Sequence, residues 1–163
     1  VLVLGKATSG NIVYNPENLN LVDLCGKMAK EFNTVQSDGR IIDFVTEGEP
    51  YKLQLDSKLL NHSLSNLISN AFKYSVGKEN PQLGIHFKPK EVILSVKDYG
   101  LGVPEKEQLK LFSPFFRANN VRDIKGSGLG LNIAKEYVEI NKGTISVKST
   151  EGKGSNFEIT FRR

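Results

Sequence analysis

Residues 91–98 read as a strand that buries one face and ends on a charge. Alternation puts Val92, Leu94, Val96 and Asp98 on one side and Ile93, Ser95 and Lys97 on the other. A sheet with one apolar face needs a second layer to cover it, and the chain supplies amphipathic helices to do so. Behind Asn20 as cap, Leu21, Leu24, Cys25, Met28, Ala29 and Phe32 recur at helical spacing. A second stripe, Leu60, Leu64, Leu67, Ile68 and Ala71, follows Asp56 as cap and predicts a helix over 56–75. A third helix is predicted from about Leu129 to Ile140, with Ile133, Ala134, Tyr137 and Val138 spaced for burial.

Further strands are predicted at 40–45 and 50–55, at 82–88 ahead of Pro89, and at 144–149 and 156–161 around a Gly152–Gly154 turn. Residues 1–16 read as a short strand or linker ending at Pro16. Helices and strands mixed without strict βαβ alternation place the chain in the α+β class. The expected architecture is a two-layer sandwich with three helices on one face of a mixed sheet. A length of 163 residues fits one domain, and 39% hydrophobic with 25% charged residues marks a globular chain rather than a disordered one. No apolar run approaches the roughly 18 residues that cross a bilayer, and Val1–Leu4 is followed at once by Gly5 and Lys6, so neither a membrane span nor a signal peptide is expected. The net charge of +4 comes without a block of like charges, which argues against nucleic acid as the main partner. The lone Cys25 lies in the first helical stripe and reads as a buried thiol in a reducing compartment.

Three features exceed what folding alone asks for. Asp98 points a carboxylate inward, where it must meet donors: from a ligand, from the Tyr99–Gly100 turn, or from water if the strand end opens to solvent. Gly100 and Gly102 allow close backbone approach, and Ser155, in phase with Phe157, Ile159 and Phe161, brings a hydroxyl to the same face. On the 56–75 helix, Asn66 and Asn70 lie one turn apart, with His62 a turn earlier and Lys73 a turn later, roughly opposite the apolar stripe. Two carboxamide oxygens and an ammonium suit Mg²⁺ held by phosphate oxygens; a solvated polar face reads the same way. Third, Gly126-Ser127-Gly128-Leu129-Gly130-Leu131 opens a helix, so backbone amides and the positive helix end form an anion site. Neither the dinucleotide fingerprint nor a P-loop is present. Between Gly102 and Gly126 periodicity is lost; Phe112, Phe115, Phe116 and Arg117 among polar residues read as a lid with apolar anchors.

In this order NLISNAFKYS, DYGLG, LFSPFFR, GSGLGL and GKGS resemble the N, G1, F, G2 and G3 boxes of the catalytic ATP-binding domain of sensor histidine kinases. The resemblance runs from about Asn15 to Phe161. It implies the Bergerat-type ATP-binding sandwich shared with DNA gyrase and heat-shock chaperone ATPases, with a mainly antiparallel sheet. It makes residues 1–15 a linker strand from a dimerisation domain and residues 16–163 the catalytic domain, with an ATP lid at about 101–127.

The resemblance also implies roles. Asp98 accepts from the adenine amino group, Asn70 binds Mg²⁺, and Asn66 supports the metal and phosphates. Lys73 reaches phosphate, Tyr74 packs near the ribose or lid, and Arg117 faces the γ-phosphate. Gly126, Ser127, Gly128, Leu129 and Gly130 form the phosphate loop, Gly100 and Gly102 the turn beside the base. Val103, Phe116 and Ile133 wall the pocket, and Ser155 orients Asp98 or a water. The cofactors implied are ATP and Mg²⁺. The partners implied are a dimerisation domain carrying the phosphoacceptor histidine, because neither His62 nor His86 sits in an acceptor-like motif, and a response regulator receiver domain. The isolated domain is expected to be monomeric, its parent homodimeric and the location cytoplasmic, with a membrane anchor on the full-length protein left open. A nucleotide sensor of the same fold without catalysis, and a nucleic-acid-associated ATPase, are the competing readings.

Overall fold

The computed structural model describes residues 12–163. In chain order the elements are β1 (Glu17–Leu19), α1 (Leu21–Val35), β2 (Asp43–Glu47), β3 (Leu53–Leu55), α2 (Ser57–Lys73), β4 (Gln82–Phe87), β5 (Glu91–Asp98), α3 (Gly130–Ile140), β6 (Thr144–Thr150) and β7 (Gly154–Arg162). Two short 3₁₀ turns, Glu105–Lys110 and Asn119–Val121, interrupt the segment between β5 and α3. The expected strand at residues 1–16 lies mostly outside the described residues; 12–16 carry no regular structure.

The main sheet has the order β2-β4-β5-β7-β6, with β2 parallel to β4 and every other pair antiparallel. β1 and β3 pair separately as a two-stranded antiparallel ribbon. The alternation read from residues 91–98 is the observed one: Val92, Leu94, Val96 and Asp98 are all buried. The three apolar ones join Leu83, Ile85, Ile159 and Phe161 beneath Leu64, Leu67, Ile68 and Ala71 of α2 in one apolar core. A buried leucine of this kind contributes about 2–5 kcal/mol over alanine. Leu59, Leu129, Ile133 and Tyr137 form a smaller cluster where α2 meets α3.

Local chemistry fixes the helix starts. Asn20 Oδ1 accepts the Asp23 amide at 3.1 Å, and Asp56 Oδ1 accepts the amides of Lys58 and Leu59 at 3.0 and 3.1 Å. Among the described residues no helix is long and apolar enough to cross a membrane.

Several predicted boundaries shift. The strand expected at 40–45 is found at 43–47, because Arg40, Ile41 and Ile42 bond out of the sheet: to Phe72 and Ser75, to Asn80 and to Asn33. The strand expected at 50–55 shrinks to 53–55, the length over which β1 pairs with it. Behind Pro104 the chain makes only the 3₁₀ turn Glu105–Lys110. Position 98 lies at the end of the sheet's middle strand, and the β5–α3 segment crosses between that end and the start of α3.

Candidate nucleotide site

A cavity of about 260 Å³ opens at the end of β5. Its lining brings together residues from every feature singled out in the sequence. Asp98 and Ser155 come from paired positions of β5 and β7, Asn70 and Lys73 from the last turns of α2, with Tyr74 just beyond. Gly126, Ser127 and Gly128 come from the loop that leads into α3, Gly130 from its first position, and Gly102, Val103, Phe116 and Arg117 from farther back in the β5–α3 segment.

Asp98 is 7% exposed, and the Gly100 amide donates to its Oδ1 at 2.9 Å. Both readings of this residue therefore hold together: the carboxylate caps its own turn and also lines the cavity. Burial pushes its pKa above the usual carboxylate value, opposed by the Gly100 and Ser155 amides. The Ser155 hydroxyl does something other than expected. It bonds the Ser149 hydroxyl at 2.8 Å, and Ser149 Oγ in turn receives the Val103 amide at 2.8 Å, so the hydroxyl pair ties β6 and β7 to the cavity wall rather than orienting Asp98.

The glycines divide into two kinds. A methyl group built on Gly100 falls 2.1 Å from the Tyr74 carbonyl oxygen, and one on Gly102 falls 2.1 Å from that of Thr150. Both positions are backbone-to-backbone packing sites; Gly102 also lines the cavity, Gly100 does not. At Gly126 the nearest atom to such a methyl is Lys73 Nζ at 2.8 Å, with the Tyr74 hydroxyl at 3.6 Å and Arg117 Nη2 at 3.7 Å. Here the missing side chain leaves room for cationic groups against an amide-rich loop. Gly128, at φ +77, lies over the backbone of Phe115 and Phe116, and its carbonyl accepts the Phe115 amide at 3.0 Å.

The segment between β5 and α3 covers one side of the cavity through buried Leu111 and Ala118 and half-buried Phe116 and Val121, while Phe112 packs on the core. Phe115 is no anchor: it is 61% exposed and has φ +62. The Arg117 guanidinium is engaged within this segment, donating to the carbonyls of Val121, Arg122 and Ile124. Asn66 lies beside Gly130 and hydrogen-bonds His62 Nδ1 at 3.3 Å; it does not line the cavity. Leu129 and Ile133 turn into the smaller apolar cluster, so Ile133 is not a wall of the pocket. The cavity's other apolar wall, Leu111, Leu131 and Phe157, was not singled out as site. Leu111 and Ala118 sit in aperiodic sequence, where only the density of LFSPFF hints at burial. Among the described residues no cluster of His, Cys, Asp or Glu is arranged to hold a metal ion. A cation in this cavity would rest on the Asn70 carboxamide and on oxygens of its ligand.

The family model described as histidine kinase-, DNA gyrase B- and HSP90-like ATPase matches residues 55–163. The chain belongs to this family. The sensor histidine kinase WalK of Bacillus subtilis is 34% identical over 166 residues, covering 99% of this chain and 27% of that protein. The mycobacterial sensor histidine kinase MprB superposes with a TM-score of 0.74 at 27% identity, covering 90% of this chain and 97% of that one. Full-length ShkA, whose structure is a complex with AMPPNP, superposes with a TM-score of 0.79 at 22% identity over 98% of this chain and 33% of its own; at that identity the likeness is one of fold. The chain spans about a quarter of the length of the curated relatives it matches. This histidine-kinase-type ATPase domain carries its five-stranded mixed sheet beneath three described helices as the resemblance implied.

Proposed function

We propose that the cavity binds Mg-ATP and that the protein containing this chain transfers the γ-phosphoryl group to a histidine on a separate helical dimerisation domain. One observation carries the reading: Asp98, Asn70, Lys73 and the Gly126–Gly130 loop line a single cavity. The Asp98 carboxylate accepts from the exocyclic amine of a purine, and Val103, Leu111 and Phe157 exclude water around the ring. Amides of the Gly126–Gly130 loop and the Lys73 ammonium hold phosphate oxygens, and the Asn70 carboxamide holds Mg²⁺, with Asn66 one turn away. Bound there, Mg²⁺ neutralises charge on the β- and γ-phosphate oxygens.

The acceptor imidazole attacks the γ-phosphorus in line; an N–P bond forms, the bond to the bridging oxygen breaks, and ADP leaves. The imidazole nitrogen is its own nucleophile, so this chain's part is positioning and charge stabilisation. Neither His62 nor His86 lines the cavity, consistent with an acceptor elsewhere. The phosphorylated histidine then serves a response regulator receiver domain, on the cytoplasmic side where ATP is found. The parent is a homodimer, and this domain alone is a monomer. Residues before 16 link it to the dimerisation domain, and the 101–127 segment closes as a lid with Arg117 released toward the γ-phosphate.

Mixing this chain with a dimerisation domain that carries the acceptor histidine, Mg²⁺ and γ-labelled ATP tests the reading. Label on the acceptor histidine is expected. ATP binding without transfer leaves a nucleotide sensor, and no binding removes the reading altogether.

A further inference from the structure

The C-terminal end of α2 has no glycine cap: Tyr74 closes it at φ −95 and ψ 6. The final carbonyls of a helix still need donors. Here they are found individually. Asn70 O receives the Tyr74 amide at 3.0 Å, Ala71 O the Ser75 hydroxyl at 2.6 Å, and Tyr74 O the Leu101 amide at 3.1 Å. The carbonyls of Phe72 and Ser75 are both taken by one side chain from the α1–β2 connection. Arg40 Nη2 donates to Phe72 O at 3.0 Å, while Nη1 donates to Ser75 O at 3.0 Å and to Ser75 Oγ at 2.9 Å.

The guanidinium is itself fixed. It lies over the Phe72 ring, 5.2 Å from its centroid, and Nε and Nη2 reach Asp38 Oδ2 at 2.8 and 2.7 Å, with the Arg40 side chain only 10% exposed. A planar fork with a positive charge suits a helix end that presents carbonyls in different directions.

Lys73 and Tyr74, the two residues between these clamped carbonyls, are the ones whose side chains enter the cavity beside Gly126. The far side of the same turn is held by Leu101, three residues after Asp98. From this arrangement we infer that Arg40 is a positioning residue for the phosphate end of the nucleotide site. It acts by holding the last turn of α2, and with it the Lys73 ammonium and the Tyr74 ring, against the Gly126 loop. The inference rests on the nucleotide reading above and adds a residue remote from the cavity to it. Asp98 is held in the ladder of the middle strand and meets the clamped turn only through the Gly100–Leu101 backbone, so loss of Arg40 bears chiefly on phosphate recognition and leaves base recognition in place.

The test compares Arg40→Met and Arg40→Lys with the parent by calorimetric titration of Mg-ATP and of adenosine, well below the unfolding temperature. Hydrogen exchange of the Tyr74 amide is followed in the nucleotide-free protein. For Arg40→Met, ATP affinity falls about tenfold, adenosine affinity is unchanged, and the Tyr74 amide exchanges faster. Arg40→Lys lies between, since an ammonium keeps the charge without the fork; it carries the same comparison if the methionine variant does not fold. Parallel losses for ATP and adenosine, or no change in either, overturn the inference. If the parent binds neither, the nucleotide reading falls, while an unchanged Tyr74 exchange rate refutes the clamp and a faster one upholds it.

Discussion

The Asn141 side chain engages both backbone groups of Asp56: Oδ1 accepts the Asp56 amide at 2.7 Å and Nδ2 donates to the Asp56 carbonyl at 3.0 Å, all of it buried. Asp56 is in turn the cap of α2, and its Oδ2 accepts the Asn15 amide at 2.9 Å. One residue after α3 thereby locks the start of α2 to the end of α3 and to the incoming chain. Helices α2 and α3 carry Asn70, Lys73 and the phosphate loop, so the lock sets their spacing from the far end.

Removing it leaves the buried Asp56 amide without a partner and the Asp56 carbonyl with the Leu60 amide alone. Asn141→Ala is expected to lose about 2 kcal/mol, or about 4–8 °C in thermal melts followed by circular dichroism. A melting temperature equal to the parent's shows that the backbone groups find other partners.

Asp98 carries a cost in the empty site. Its folded pKa is raised by burial, so its contribution to stability is fully present below the ordinary carboxylate value and is lost as pH rises through the folded value. The ligand-free Asp98→Asn variant is therefore expected to melt about 2–4 °C above the parent at pH 7, about 1 kcal/mol, with the gap closing in acid. Differential scanning calorimetry from about pH 3 to about pH 7 reads this out. For Asp98→Ala, loss of a charge-assisted hydrogen bond lowers ATP affinity by roughly ten- to a hundredfold in a calorimetric titration.

Two glycine substitutions separate packing from binding. Gly100→Ala drives a methyl into the Tyr74 carbonyl and is expected to destabilise the fold by about 2 kcal/mol or more. Gly126→Ala meets the tip of a flexible lysine instead. It is expected to melt within about 0.5 kcal/mol of the parent and to bind ATP more weakly, because Lys73 is displaced. Equal melting temperatures for the two variants contradict this division.

Asn70→Ala removes the one carboxamide of α2 that lines the cavity. Titrations with and without Mg²⁺ are expected to show the metal's enhancement of ATP affinity lost and adenosine binding retained. Retention of the full Mg²⁺ effect places the cation elsewhere.

What the sequence revealed follows from how local each cause is. Period-two burial exposed Asp98, and helical stripes exposed α1, α2 and α3, because those patterns are written in consecutive residues. The strand misplaced at 40–45 shows the opposite case. Arg40, Ile41 and Ile42 have the composition of a strand, but their partners lie up to 39 residues away. The β1–β3 ribbon joins residues 17–19 to 53–55 and leaves no periodic trace in so few positions. At the site, the Ser155 hydroxyl was legible as inward-facing, while its choice of Ser149 over Asp98 depends on the β6–β7 register. Arg40 and Asn141 act through backbone carbonyls and amides, which every residue possesses, so nothing in their neighbours' identities announces them.

Base recognition rests on a purine amine meeting the Asp98 carboxylate, and a pair of ligands isolates that contact without any mutation. Calorimetric titration of the parent chain with Mg-ATP and with Mg-inosine triphosphate, which has an oxygen in place of the amine, tests it directly. ATP binding at least about tenfold tighter than its inosine counterpart is the predicted result; equal affinities would contradict it.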